Sequence, residues 1–179
     1  AVTNMDNKTL QNALNEKYLE ENKKLYEEFM KEMEEMKAQE GGNLSVSSGY
    51  NVVTDTDRLL SIQRYVVETA ASGVETLKYD TIDKKNQILI TLPSLFKDDR
   101  YIQIISENIK EQMRERMQNE GVIFWVEGAE LGEFTEPFKE IAPDQDFYIT
   151  SEGKLVISFD EYEVAPGYMG TVEFVIPTE

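Results

Sequence analysis

An α+β fold, with an antiparallel β-sheet and helices packed against it, is predicted for this chain by three features of its order. A long helical pattern opens it. Strand-like alternation follows over residues 43–92, and a second helical pattern then leads into a closing run of short strands. Grouped strands and grouped helices, without regular β–α alternation, mark the segregated class of mixed folds.

The first element is predicted over residues 5–39, which contain no Gly or Pro. Leu10, Leu14, Tyr18, Leu25, Phe29, Met33 and Met36 recur near the helical period, and Lys/Glu pairs fill the other faces. At 1.5 Å per residue such a helix is roughly 50 Å long. Gly41-Gly42 is placed to end it. It reads first as a helix packed across a sheet, and second as a stalk or coiled-coil arm. Residues 1–42 are therefore taken as an N-terminal helical segment and 43–179 as an α+β domain, with possible subdomains at 43–92 and 93–179.

Three alternating segments rich in Val, Ile, Tyr and Thr fill residues 43–86, and DTD and DKKN supply the turns between them. QILITL is a further short strand. After SLF, Asp98 or Asp99 is suited to cap a helix whose apolar face is Ile102, Ile105, Ile109, Met113 and Met117. Asn119 to Gly121 ends it. VIFWV reads as a strand, and the acidic stretch 128–145 reads as irregular. FYIT and KLVISF form a hairpin around Ser151-Glu152-Gly153, and GTVEFVIP is the last strand.

Composition narrows the chemistry. Cys and His are both absent, which removes disulfides, thiol nucleophiles, imidazole bases and zinc sites of the usual kind. An all-oxygen metal site would be needed; Asp55 and Asp57 have no completing spacing and read as turn residues. No metal or other cofactor is expected. With 18 basic and 35 acidic residues the formal charge is −17, which disfavours nucleic acid and favours a cationic partner. The field is uneven: residues 127–179 hold 13 acids and 2 bases, net −11, against 10 acids and 6 bases, net −4, in residues 1–40. No run of about 18 apolar residues is present to span a membrane. The opening AVTNMDNK lacks an initiator Met, as expected of an excised or processed fragment.

Paired carboxylates are the one catalytic option: Glu127, Glu130 and Glu133, or Asp144 and Asp146. Glycoside hydrolysis needs two such groups at a set separation. In a chain this acidic, sequence clusters arise by chance, so no catalytic residues are assigned. The remaining signal is EYEVAPGYMG, residues 161–170. There a tyrosine and a methionine follow a Pro-Gly corner. Pro166-Gly167 suits the centre of a type II turn, which would present Tyr168 rigidly. A buried Tyr168 at the start of the last strand is the other reading.

TLPSLFKDDRYIQIISENIKEQM, followed by FYITSEGKLVISFDEYEVAPGYMGTVEFVIP, resembles the extracellular domain of the RsiV-type anti-sigma factors of Firmicutes, from about residue 43 to 179. The resemblance implies a non-enzymatic sensor that binds lysozyme and occludes its substrate cleft. Binding then exposes a single-pass membrane protein to signal peptidase and an intramembrane protease, and this frees an extracytoplasmic-function sigma factor held by a cytoplasmic segment. It implies an extracellular location for this domain. It also implies partner contacts at Pro166, Gly167, Tyr168 and Met169, and at Ser72 on an earlier loop. A looser form of the module in Gram-positive surface proteins, including a peptidoglycan deacetylase, leaves a non-catalytic glycan-binding module as the alternative.

Overall fold

The computed structural model describes residues 1–38, 44–70, 72–132 and 135–177. Helix α1 spans Lys8–Ala38, and strands β1 (Ser45–Asp55), β2 (Leu59–Thr69), β3 (Gly73–Asp83) and β4 (Ile88–Ile90) follow. Helix α2 spans Arg100–Glu120, and β5 (Phe147–Ile149), β6 (Leu155–Phe159) and β7 (Val172–Ile176) close the chain. All strand pairs are antiparallel. The α+β class holds, but the strands form two sheets: β1-β2-β3-β4 (sheet A) and β5-β6-β7 (sheet B). The Gly41-Gly42 stop, and with it the division at 42/43, lies outside the described residues.

Helix α1 crosses one face of sheet A. Leu14 and Met5 are buried with Ile82, and Val2, Leu10, Tyr18, Leu60 and Leu89 pack around them. Further along, the attachment becomes polar. Lys17 Nζ lies 2.9 Å from Asp80 Oδ1, and the Asp80 side chain is only 3% exposed. Arg64 on β2 bonds both Asp80 and Glu21 and lies over the Tyr18 ring, 4.6 Å from its centroid. Ser48 Oγ donates to Asn22 Oδ1 at 3.2 Å. Both expected turns are present: Asp83 accepts the Lys85 and Asn86 amides at 2.9 Å each, and Thr56 Oγ1 accepts that of Leu59 at 3.0 Å. Asp55 is ion-paired with Lys84, a turn role.

The main core lies between α2 and sheet B. Ile105, Ile109 and Met113 are buried, with Ile102 and Met117 packed at the margin. Each such buried side chain contributes about 1.5–3 kcal/mol. Phe124, Phe174, Phe159 and Phe138 form a chain of tilted and edge-on ring pairs 5.4–5.8 Å apart, arrangements that suit the ring quadrupoles. Gly121, at φ 69°, ends α2 in the left-handed conformation that glycine adopts most freely. At the other end Asp99 holds the cap position. The carboxylate that accepts the Arg100 amide, at 3.1 Å, is that of Asp98. Ser106, inside the helix, accepts the Ile141 amide at 2.9 Å and so ties the 135–142 segment to α2.

VIFWV is extended and buries Phe124 and Val126 alternately, but it joins no ladder. Its Trp125 N–H donates to Val164 O at 2.8 Å and its carbonyl accepts the Phe138 amide at 2.7 Å. Single bonds to loops on either side replace a strand partner.

The two sheets meet at the edge of β3. Strand β4 pairs only with residues Thr81 to Asp83, leaving the N–H groups nearer the start of β3 without a strand partner. Carboxylates take them. Tyr79 N–H donates to Asp146 Oδ1 (3.2 Å), Leu77 N–H to Asp160 Oδ1 (2.7 Å) and Glu75 N–H to Glu161 Oε1 (3.0 Å). Alternate residues of a strand point their amides to one side, so three acids from the β5 and β6 ends cap one continuous edge. Tyr79 also stacks on Tyr148 (centroids 5.2 Å), and both phenols donate to Glu173 at 3.1 Å.

Candidate functional site

The 160–170 corner is built on that edge. Strand β6 ends at Phe159, and Asp160 and Glu163 then close a turn on themselves. Asp160 N–H donates to Glu163 Oε2 at 2.8 Å, and Glu163 N–H to Asp160 O at 3.2 Å. Gln145 Nε2 donates to Glu163 Oε1 at 3.0 Å. Burial holds the Asp160 carboxyl above its usual range. The Leu77 amide and the Lys78 ammonium oppose that shift, while Asp146 and Glu163 add to it. Lys78 moves the other way from what its burial dictates, because its bond to Asp146 and the nearby Asp160 and Glu163 favour its charged form.

Val164 and Ala165 are each 2% exposed and anchor the next step. Pro166 (φ −60°, ψ 149°) then leads into a 3-10 turn, Gly167–Met169. Met169 N–H donates to Pro166 O at 2.9 Å and Gly170 N–H to Gly167 O at 3.0 Å. The type II turn centred on Pro166-Gly167 is thus not formed. It requires positive φ at Gly167, whereas the positive-φ glycine of this turn is Gly170, at φ 63°. Gly167 has a different role: an added Cβ would collide with the ring of Tyr162. The turn sends Tyr168 outward, 68% exposed, and Met169 inward against the main core.

Ser72 is exposed at the tip of the β2–β3 hairpin, next to the undescribed residue 71. It lies three residues from Glu75, whose amide bonds Glu161, so the tip stands about 10 Å along the strand from the corner's attachment. The two candidate loops therefore share one end of the molecule. Tyr162, 54% exposed and at φ 63°, belongs to the same surface and was not singled out by sequence.

The carboxylate candidates are dispersed in role. Asp146 is committed to Tyr79 N–H and to Lys78 Nζ at 2.8 Å. Glu127, Glu130 and Asp144 are exposed, and Glu133 lies outside the described residues. Among the described residues no group of three or more Asp or Glu is placed to hold a metal ion, and no helix is long and apolar enough to cross a membrane.

Residues 93–179 match the family described as "Protein of unknown function (DUF3298)". They are a DUF3298 domain. It takes in α2, sheet B and the corner. The resemblance to RsiV-type anti-sigma factors extends further. The chain is 55% identical to the anti-sigma-V factor RsiV of Bacillus subtilis (strain 168) over 99% of its own length. It spans 60% of the length of that relative. Two solved structures share the fold. A DUF3298 member from Bacteroides fragilis has TM-score 0.59 at 18% identity, covering 89% of this chain and 64% of its own. A DUF3298 protein from Pseudomonas aeruginosa PAO1 has TM-score 0.56 at 14% identity, covering 75% of this chain and 58% of its own.

Proposed function

We propose that this chain is the extracellular, lysozyme-binding part of a single-pass membrane anti-sigma factor. Residues 43–179 form the binding domain and residues 1–42 the membrane-proximal segment. Lysozyme engagement renders the longer protein a substrate for signal peptidase and then an intramembrane protease. The sigma factor held by its cytoplasmic segment is released. The relative named as an anti-sigma factor supports the regulatory, non-enzymatic part of this reading.

The observation that carries the sensing part is the presentation of Tyr168. It is exposed on a short hydrogen-bonded turn whose flanks, Val164 and Ala165, are buried. A large side chain with few rotors, held on a fixed turn, loses little entropy on entering a cleft. Pro166 and Gly167 set the turn, Met169 ties it to the core, and Ser72 lies on the neighbouring tip. Animal-type lysozymes are strongly cationic, and a −17 chain attracts them at long range.

Calorimetric titration with a purified animal-type lysozyme, with a peptidoglycan fragment as competitor, tests this. Saturable lysozyme binding is expected, and Tyr168→Ala weakens it by about 2 kcal/mol or more with little change in melting temperature. Binding of the glycan fragment without lysozyme would replace this reading with a glycan-binding module.

A further inference from the structure

Tyr162 stands in a backbone conformation that tyrosine rarely takes. Its φ of 63° is left-handed, a region that glycine or asparagine enters with less strain. Local packing does not demand a large side chain here, since the residue is 54% exposed. What the conformation achieves is placement. The Cε1–Cζ–OH end of the ring lies directly against the Cα of Gly167, so closely that any Cβ there would overlap it. The ring thus braces the first residue of the turn that carries Tyr168.

The turn holding Tyr162 is itself fixed. Asp160 and Glu161 are bonded to the β3 edge, and Glu163 is bonded to Asp160 and Gln145. Strained residues whose surroundings over-determine them cluster at functional positions. Two exposed tyrosines six residues apart then stand on one rigid platform, 54% and 68% exposed.

We propose that Tyr162 is a second contact and positioning residue of the protein-binding surface: its ring braces Gly167, sets the direction of Tyr168, and its exposed remainder meets the same partner. The proposal rests on the lysozyme-binding reading above and adds to it a residue and a mechanism. Gly167 is required because it leaves room for the brace.

The test is a double-mutant cycle on the whole 179-residue chain, read by melting temperature and by the lysozyme dissociation rate, with Tyr168→Ala alongside. Tyr162→Gly relieves the backbone and removes the ring. It is expected to leave melting unchanged or raised while speeding dissociation about tenfold. Gly167→Ala displaces the ring and is expected to speed dissociation about as much, roughly tenfold, with the fold intact. In the Tyr162→Gly background the added methyl has no ring to displace, so the double variant is no worse than Tyr162→Gly alone. Tyr162→Phe keeps the ring and recovers most of the residence time. Tyr162→Gly with lowered melting and unchanged dissociation would reduce Tyr162 to a packing residue. Additive losses in the cycle would remove the brace. If wild type fails to bind lysozyme, the functional reading falls first; if wild type binds, Tyr168→Ala does not and Tyr162→Gly binds as wild type, this proposal alone falls.

Discussion

Helix α2 turns Ile105, Ile109 and Met113 toward β7 and the aromatic chain behind it, each no more than 2% exposed. Helix α1 is half as long again but, among its described residues, buries only Leu14, at 3% exposed, and it holds sheet A through Lys17, Asp80, Arg64, Tyr18 and Glu21. Beyond Asn22 its polar contacts, among the described residues, are to its own neighbours: Lys23 with Glu20, Lys24 with Glu28 and Lys31 with Glu35. Leu19, Tyr26 and Met30 are exposed. One helix is fixed by apolar burial, which depends little on ionic conditions. The other is fixed at a charged cluster around one buried carboxylate, where the attraction must offset the desolvation of the ions. The length of a helix is no guide to how firmly it is held.

The strongest test of the contrast is Phe174→Ala. Phe174 is fully buried, touches the rings of Phe124 and Phe159, and lies under the Arg116 guanidinium. Its truncation is expected to cost about 3–5 kcal/mol in urea denaturation and to unfold α2 and sheet B together. Leu14→Ala should cost less than Phe174→Ala, because its cluster has few buried members and collapses easily. Equal losses at the two sites would break the contrast.

Asp80→Ala probes the other side. It strips Lys17 and Arg64 of their shared partner, and charged hydrogen bonds of this kind are worth about 1.5–3 kcal/mol in all. The loss is expected to be local. Amide exchange in α1 should quicken over residues 8–22 while α2 stays protected. Uniform loosening of both helices would mean that Asp80 supports the whole fold and not the α1 contact alone.

These differences explain which features were legible in sequence. The α2 face could be read because apolar burial writes a period into the chain: Ile102, Ile105, Ile109, Met113 and Met117 are all at the core or its margin. The α1 stripe could be read equally well, but its periodicity gave no sign that attachment passes to charge after Leu14. One aspartate among 35 acids has nothing to mark it as buried. The second sheet was missed for the same reason, since it depends on Asp146, Asp160 and Glu161 capping amides far away in sequence. In VIFWV the alternation was real, but period-two burial requires an extended chain and not a ladder. At the corner, Pro-Gly suggested a turn type, whereas Gly167 answers to a ring five residues earlier. The exposure of Tyr168 was one of two open readings, and only the inward turn of Met169 decides it.

The smallest expected effect lies at the seam where the two sheets meet, and it appears in alkali. Burial is the main reason that the Tyr79 phenol is pushed up to about 12, with the Glu173 charge adding to it and the bond from Gln63 opposing it. Tyr148 is raised by burial and by Glu173, and Tyr18 under α1 by burial and by Asp80. A raised phenol pKa means that the folded state holds its proton where the unfolded chain releases it. The stabilisation is therefore complete below pH 10, the ordinary tyrosine value, and for Tyr79 is lost as pH rises toward about 12. Stability in urea, followed across this window, should fall. Tyr79→Phe keeps the stack on Tyr148 and removes the ionising group. It should cost about 1 kcal/mol at neutral pH for the lost hydrogen bond, and flatten the alkaline slope. Tyr18→Phe should flatten it too, but with the change confined to exchange in α1. If Tyr18→Phe alone removes the slope, the seam does not titrate in this window, and alkali acts on the charged α1 contact before it reaches the join between the sheets.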